Sequence, residues 1–345
     1  MQRLTVIFVL MLALCNTGCK SNRKPRETER AFYHWKTVFA PTAYEKRRAD
    51  SLGATTLYIK LFDVVWNSVS KVPEPAAKLL VKDSAWLLQK KIIPVVFITN
   101  ECFYGLDSAQ VLQLAKNITT LADKLAEQNG FGHYPELQID CDWSETTRDR
   151  YFQLLRTIKA ANNKRMLSAT IRLHQVKYKQ SSGIPPVDRG LLMCYNMGDL
   201  QQAHVKNSII DAQEFQRYIQ HLSTYPLPLD AGLPLFSWVV IFDHQGRFAG
   251  LIRNTPTALE NASAFKRSGT GYLVQKDTLL GGRPVKTGQF LRPENSEVAT
   301  VTTVGALLAR RLSNNRLRVA LYHLDSLTLN KYSFYEMESI YNSLH

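Results

Sequence analysis

Acidic residues are scarce in this chain of 345 residues. Asp and Glu together number 29 against 43 Lys and Arg, which gives a formal net charge of +14 at pH 7. Such an excess can attract a polyanion, either an acidic polysaccharide or a nucleic acid. However, the sequence contains no RNA-recognition, helix-turn-helix or zinc-finger pattern, and its basic residues are spread through helix-like stretches. A solvated basic surface is therefore favoured, and a nucleic-acid partner is not expected.

Paired cysteines and the common catalytic motifs are also missing. None of the five cysteines has CxxC spacing and the histidines are scattered, so no metal site and no cofactor are expected. Cys102, Cys141 and Cys194 each lie in or just after an apolar run, and this pattern favours three buried free thiols over a disulfide framework. The absence of GxSxG, GxxxxGKS/T and HExxH excludes the usual signatures of serine hydrolases, P-loop proteins and zinc proteases.

The apolar run at the amino terminus, residues 4–14, is too short to span a bilayer. Asn-Thr-Gly-Cys follows the run at residues 16–19, and basic residues come next. This arrangement resembles a bacterial lipoprotein signal and implies that Cys19 carries a lipid. An ordinary secretory peptide cut nearby is the alternative. Residues 1–19 are thus predicted to be a signal peptide, and the charged residues 20–30 a flexible tether. The expected location is the cell envelope, lipid-anchored to a bacterial membrane through Cys19.

Strand-like and helix-like segments alternate through the rest of the chain. The strand-like runs are Phe32–Phe39, Thr55–Trp66, Ile92–Asn100, Glu136–Trp143, Met166–Gln175, Asp188–Met197, Leu229–Val240 and Leu317–Leu324. Helical patterns occur at Tyr44–Leu52, Pro73–Lys91, Ser108–Asn129, Glu145–Ala161, Asp211–Ser223 and Ser333–Ser343. This alternation is typical of a parallel sheet, and eight units predict an α/β fold, a closed (β/α)8 TIM barrel over residues 31–345.

One segment is too long for an ordinary connection between strand and helix. Residues 242–294, after the seventh strand, are rich in Gly, Arg and Thr and contain hairpin-like pieces around Gly281 and Gly282. An insertion at this point would lie on the face of the barrel that carries active sites. It could form a wall of a substrate cleft or a lid.

The fourth strand carries an unusual set of polar residues. Gln138, Asp140 and Asp142 alternate with Leu137, Ile139 and Cys141, so one face is polar and the other apolar. Two aspartates in a buried strand are costly. The first interpretation is structural, with Asp142 or Ser144 capping the next helix and Asp140 forming a local hydrogen bond. The second is a cluster of catalytic carboxylates at the mouth of the barrel.

Polar and aromatic residues collect at the ends of the other strands as well. In a barrel these ends gather on one face, where active sites of this fold lie. Aromatic rings offer flat faces for sugars, and carboxylates can supply the acid and base of glycosidic cleavage. Each tryptophan or histidine alone is more often structural, so the prediction rests on their shared position. The predicted substrate-binding residues are His34, Trp66, Glu101, Arg172, His174, Asn196, Trp238 and Tyr322.

Two short motifs resemble those of the family-18 chitinase-like glycoside hydrolases. The stretch from Ile139 to Glu145 is similar to the fourth-strand signature, and Met-Cys-Tyr-Asn at residues 193–196 to the sixth-strand motif. The resemblance implies that Glu145 is the general acid, that Asp142 orients the substrate's N-acetyl group, and that Tyr195 supports that group. The family has one residue between its last aspartate and the glutamate, whereas this chain has two. Asp142 is therefore the alternative acid, with Asp140 in support.

Three functions remain open from the sequence. The first is a glycoside hydrolase that cleaves an envelope glycan with Asp142 or Glu145 as acid, supported by Asp140 and Tyr195. The second is a glycan-binding barrel that has lost the chemistry. The third is a structural or assembly protein of the envelope, whose barrel face contacts another protein.

Overall fold

The computed structural model describes residues 26–161, 165–253, 259 and 263–345. The predicted signal peptide, its Cys19 and residues 20–25 of the predicted tether lie outside the described residues. Eight parallel strands form a closed barrel, because the first strand pairs with both the second and the last. They are β1 Glu27–His34, β2 Thr56–Asn67, β3 Lys91–Ile98, β4 Glu136–Cys141, β5 Met166–Arg172, β6 Arg189–Met193, β7 Leu229–Pro234 and β8 Arg316–Tyr322. The predicted fold class is confirmed.

Helices lie in the connections between the strands and after the last strand, and the apolar residues of most of them pack against the outer face of the barrel. They are α1 Ala43–Ser51, α2 Ser84–Leu87, α3 Ser108–Gln128, α4 Arg148–Ala161, α5 Leu173–Lys177, α6 Lys179–Ser182, α7 Ala212–Ile219, α8 Val298–Ala309, α9 Ser326–Leu329 and α10 Phe334–Asn342. Short 3-10 turns lie at Asn100–Phe103 and Leu222–Thr224. Residues between the strands and these helices form the main hydrophobic core. A smaller group that includes Tyr33, Tyr58 and Val95 forms a second cluster.

The insertion after β7 is a separate antiparallel sheet with its own apolar cluster, which includes Val239, Ile252 and Leu291. Its strands are Trp238–Phe242, Phe248–Arg253, Phe265–Ser268, Gly271–Val274 and Phe290–Glu294, and a small hairpin joins Thr278–Leu280 to Arg283–Val285. The sequence predicted the insertion but began it at residue 242. The seventh strand-like run in fact divides into β7 and the first strand of this sheet.

Three other boundaries differ from the prediction. β1 begins at Glu27, so residues 27–30 of the predicted tether belong to the barrel, and Val38–Phe39 is a separate short strand. The predicted helix Pro73–Lys91 is wrong: Val72–Ala76 pairs antiparallel with β2, and only α2 is helical. Helix α8 was not predicted, because its many Val and Thr residues lack an obvious polar face.

The cysteines within the described residues agree with the prediction. Cys102, Cys141 and Cys194 are free and buried, which confirms three buried thiols. No helix in the described ranges is both long enough and apolar enough to cross a membrane. Those ranges contain no group of three or more His, Cys, Asp or Glu side chains arranged to hold a metal ion.

Candidate functional site: a cleft at the mouth of the barrel

A cavity of about 210 Å³ opens at the carboxyl ends of the strands. Its walls come from the ends of β1 and β3–β8, from the first two strands of the insertion and from α9. This is the end at which the sequence placed the site. Seven of the predicted site residues line the cavity: Asp140, Asp142, Arg172, Tyr195, Asn196, Trp238 and Tyr322.

Strand β4 positions the carboxylates through its alternation. Glu136, Gln138 and Asp140 are buried, and their contacts are made with side chains from other strands. Glu136 meets Arg318 near the amino ends of the strands, and the Gln138 amide oxygen accepts a hydrogen bond of 2.5 Å from Tyr33 in the middle. The two aspartates follow at the mouth. The single polar face predicted from the sequence is thus a column of side chains that extends along the barrel to the cleft.

Asp140 is the more deeply placed of the two aspartates. Its carboxylate accepts a hydrogen bond of 2.5 Å from the Thr170 hydroxyl. Burial, followed by the charge of Asp142, raises the pKa of Asp140 to about 7, although the Thr170 hydrogen bond and Arg172 oppose that change. Asp140 therefore retains a proton well above the ordinary range of a carboxyl group.

Asp142 has a different environment. Its side chain is 39% exposed and forms an ion pair with Arg172, whose side chain is 34% exposed. The Arg172 guanidinium group is thus the partner of the Asp142 carboxylate at the edge of the cavity. In this position Asp142 can accept hydrogen bonds from a ligand.

Aromatic rings surround the carboxylates, with Tyr322 at their centre. The Tyr322 ring lies 5.8 Å from both Tyr33 and Trp35, 5.6 Å from Tyr195 and 5.7 Å from Phe236, measured between ring centroids. All five rings line the cavity. We call this set of five rings the aromatic floor.

The other predicted residues at the cavity have clear local roles. The Trp238 indole N–H donates a hydrogen bond of 2.7 Å to Glu294, so this tryptophan presents only its ring to the cleft. Asn196 adopts a positive φ of 54°, a conformation in which Asn is enriched, directly after β6. Burial raises the pKa of Tyr195 well above its ordinary value, so the phenol remains neutral.

Five predicted site residues do not line the cavity. Glu145 is exposed in the turn before α4, and Glu101 and His174 are also exposed. Trp66 lies at the end of β2, beside the antiparallel strand that pairs with it. His34 is buried against Phe39, and burial lowers its pKa to about 3. Neither Glu145 nor Ser144, the position at which the family spacing would put the glutamate, lines the cavity.

Several cavity residues were not predicted from the sequence. Tyr33 and Trp35 alternate near the end of β1, and this alternation was a usable signal. Others come from elements whose position the sequence did not reveal: Phe236, Ser237 and Arg253 near or within the insertion, and Thr328 in α9. The remaining unpredicted residues are Phe97, Thr170 and Met193.

The closed parallel barrel with its cleft at the carboxyl ends has the fold of the chitinase-like glycoside hydrolases, as predicted. The spore cortex-lytic enzyme SleL from Bacillus megaterium matches with a TM-score of 0.57 and 11% identity, over 93% of this chain and 75% of that one. SleL from Bacillus cereus matches with a TM-score of 0.53 and 13% identity over the same shares. A chitinase from Chromobacterium violaceum gives 0.52 and 10%, over 92% and 97%. No family model and no curated protein matches the sequence.

Proposed function

We propose that this protein binds an oligosaccharide in the cleft at the mouth of its barrel. The observation that carries the proposal is the aromatic floor next to the ion pair of Asp142 and Arg172. Flat rings can pack against the apolar faces of sugar rings, while a few charged groups fix hydroxyl or amide substituents. The fold shared with a protein named as a chitinase, and with the spore cortex-lytic enzyme SleL, supports a glycan as the ligand.

Binding without cleavage agrees best with the positions of the carboxyl groups. A general acid must hold a proton at the working pH and reach the glycosidic oxygen. Glu145 lies outside the cavity, and the spacing of the resembled family would place an acid at position 144, which is Ser144. Asp142 reaches the cavity, but its carboxylate is already paired with Arg172.

Hydrolysis is the second candidate, because two carboxyl groups line the same cavity and one of them, Asp140, has a pKa raised to about 7. Asp140 would supply a proton to Asp142, and Asp142 would give it to the leaving oxygen as the glycosidic bond breaks. The oxygen of the substrate's N-acetyl group, supported by Tyr195, would form the new bond to the anomeric carbon. Water would then displace that oxygen and return a proton to the carboxylates. This mechanism requires Asp142 to separate from Arg172 when the glycan binds.

The test is a panel of fluorescently labelled oligosaccharides, with binding measured by titration and cleavage by chromatography. We expect the wild-type protein to bind members of the panel and to release no product. Asp142→Asn should weaken binding severalfold, and Glu145→Gln should not change it. Product release by the wild type that is lost in Asp142→Asn would establish the hydrolase instead. No binding to any glycan would favour the structural or assembly role.

The envelope location is a separate proposal that rests on the sequence signal alone. We propose that Cys19 is lipidated and attaches the protein to a bacterial membrane. Fractionation of cells that express the full chain should find the wild type with membranes and Cys19→Ser in the soluble fraction. Equal distribution of both forms would contradict the anchor.

A further inference from the structure

One wall of the cleft contains several hydrogen-bond donors and two positive charges. Ser237, Arg253, His323 and Thr328 line the cavity there, and the Lys331 ammonium group contacts the Ser237 hydroxyl from behind. We call these five residues the basic wall. Arg253 ends the second strand of the insertion and pairs in register with Trp238, so the insertion sheet brings its charge to the cleft.

Neither positive charge of the basic wall forms an ion pair within the described part of the chain, because the nearby carboxylates have other partners. Asp325 is paired with Lys36 at 2.9 Å, and Glu294 is paired with Arg292 at 2.6 Å. Burial lowers the pKa of Lys331, although the negative charge of Asp325 opposes that change.

Two polar atoms on the same wall have no hydrogen-bond partner among the described residues. Thr328 is fully buried, yet its hydroxyl oxygen is unpartnered, and so is Nδ1 of His323. A buried polar group without a partner costs free energy that a ligand atom can recover. Both residues line the cavity.

The opposite wall does not balance this charge. Asp142 is neutralised by Arg172, and Asp140 holds a proton through much of the pH range in which the protein would bind. Of the charged groups that line the cavity, Arg253 is left uncompensated. A neutral sugar would therefore leave this arginine without a charged partner.

We propose that the basic wall binds an anionic substituent of the sugar held on the aromatic floor, so that the preferred glycan is an acidic one. A carboxylate can accept two parallel hydrogen bonds from the planar Arg253 guanidinium group and further ones from the hydroxyl groups. This inference rests on the proposed glycan binding and adds the class of glycan. A sulfate ester presents the same charge and is the other source of such a substituent.

The experiment compares matched ligands that differ only in charge. The probes are a labelled N-acetylhexosamine tetrasaccharide with carboxylates on alternate sugars, the same compound after methyl esterification, and a sulfated counterpart. We expect the carboxylate form to bind the wild type at least tenfold more tightly than the ester. Tighter binding of the sulfated compound than of the carboxylate would identify sulfate as the preferred group.

Variants of the wall should remove the preference without removing glycan binding. Arg253→Met and Lys331→Met should each bind the carboxylate form and the ester with similar affinity, and Arg253→Lys should keep part of the preference. Arg247→Met is the matched control, because Arg247 precedes the same strand at its opposite end and pairs with Asp243. It changes the net charge equally and should keep the full preference.

The outcomes separate the two proposals. Equal binding of ester and both anionic forms by the wild type would overturn the anionic subsite and leave glycan binding intact. A preference that survives in Arg253→Met and Lys331→Met would also overturn it. Failure of all three compounds to bind would contradict the subsite and the proposed function together.

Discussion

Charged side chains occupy both ends of the barrel interior, but they are matched differently at the two ends. At the base, Arg318 contacts Glu136 at 3.0 Å and Asp230 at 3.6 Å, and Arg189 contacts Asp230 at 2.7 Å. At the mouth, Asp140 has no cationic partner in contact, and Arg253 has no anionic one in the described part of the chain. At the base the charged side chains satisfy one another within the barrel. At the mouth, charge and hydrogen-bonding capacity remain for a ligand.

The proton affinities of the two ends show the same difference. Burial alone would lower the pKa of Arg318, but Tyr58, Glu136 and Asp230 outweigh burial and raise it. At the mouth, burial dominates and Asp140 keeps its proton to about pH 7. Buried charges that are paired contribute to structure, whereas a strongly perturbed carboxyl group in a cleft indicates a functional site.

The largest expected effect breaks the pairing at the base. Arg318→Met leaves Glu136 and Asp230 buried with less compensation, because both carboxylates are almost fully buried. We expect the free energy of unfolding to fall by about 3–5 kcal/mol, measured by urea denaturation. Arg316→Met, which removes an exposed pair with Glu27 two residues away, should lower the free energy of unfolding far less, because water screens that pair. Similar losses for both variants would show that the base is not held by its ion pairs.

The second prediction concerns the unpaired carboxyl group at the mouth. The pKa of Asp140 is about 7 in the folded protein against an ordinary value of 3.8. Between about pH 4 and pH 7 the folded protein holds a proton that the unfolded chain has released, so this group lowers stability as pH rises. Asp140→Asn should remove this dependence and stabilise the protein above pH 7. The difference between the two pKa values sets an upper limit of about 4 kcal/mol.

Urea denaturation at a series of pH values from 4 to about 8 measures this effect. Only the difference between wild type and variant is used, so other titrating groups cancel. Asp199→Asn is the control, because Asp199 is exposed on a loop after β6. Parallel curves for wild type and Asp140→Asn would mean that Asp140 is ionised in the folded protein, and the contrast with the base would be lost.

The third prediction tests whether the mouth is a binding surface. Trp35 belongs to the aromatic floor, whereas Trp66 lies outside the cavity. We expect Trp35→Ala to weaken oligosaccharide binding at least tenfold, about 1.4 kcal/mol, because it removes a ring face from the cleft. Trp66→Ala should change affinity less than about twofold. Fluorescence titration provides both values, and equal effects would mean that the rings at the mouth are packing residues only.

The same two tryptophans show how far the sequence could lead. Period-two alternation predicted the strands, and eight of them predicted the closed barrel. Alternation also placed Asp140 and Asp142 on one face of β4, because a strand in a barrel leaves each side chain only the inside or the outside. Trp35 was not chosen because His34, on the other side of the alternation in the same predicted strand, was taken to face the mouth. Trp66 was chosen although β2 extends past the cleft into a hairpin.

Other errors have a common physical cause, which is that tertiary contacts decide local structure. Pro73 and Pro75 suit an edge strand that needs few backbone donors, but a count of apolar spacing suggested a helix there. Arg253 reaches the cleft only because the insertion sheet folds back on the barrel. Glu145 was chosen from a motif, and the chain turns away from the cleft before reaching it. Strand periodicity was a better guide than motif spacing.

The smallest expected effect concerns Arg172, the counterpart of Arg318 at the mouth. Arg172→Met removes an arginine from a carboxylate just as Arg318→Met does, but both members of the mouth pair are exposed by about a third or more. Exposed pairs are screened by water, and the change also removes a buried Nε that has no partner in the described structure. We therefore expect the free energy of unfolding to fall by no more than about 1 kcal/mol.

Urea denaturation of the two arginine variants under one set of conditions gives the direct comparison. The free energy of unfolding should fall little in Arg172→Met and much in Arg318→Met. That result would mean that the ion pairs at the base stabilise the fold, whereas the charged groups at the mouth are free to serve a ligand. A loss of about 3 kcal/mol or more for Arg172→Met would make the pair with Asp142 a structural lock, as at the base. Asp142 would then be unavailable to a sugar, and the cleft would have to bind through its aromatic floor and basic wall alone.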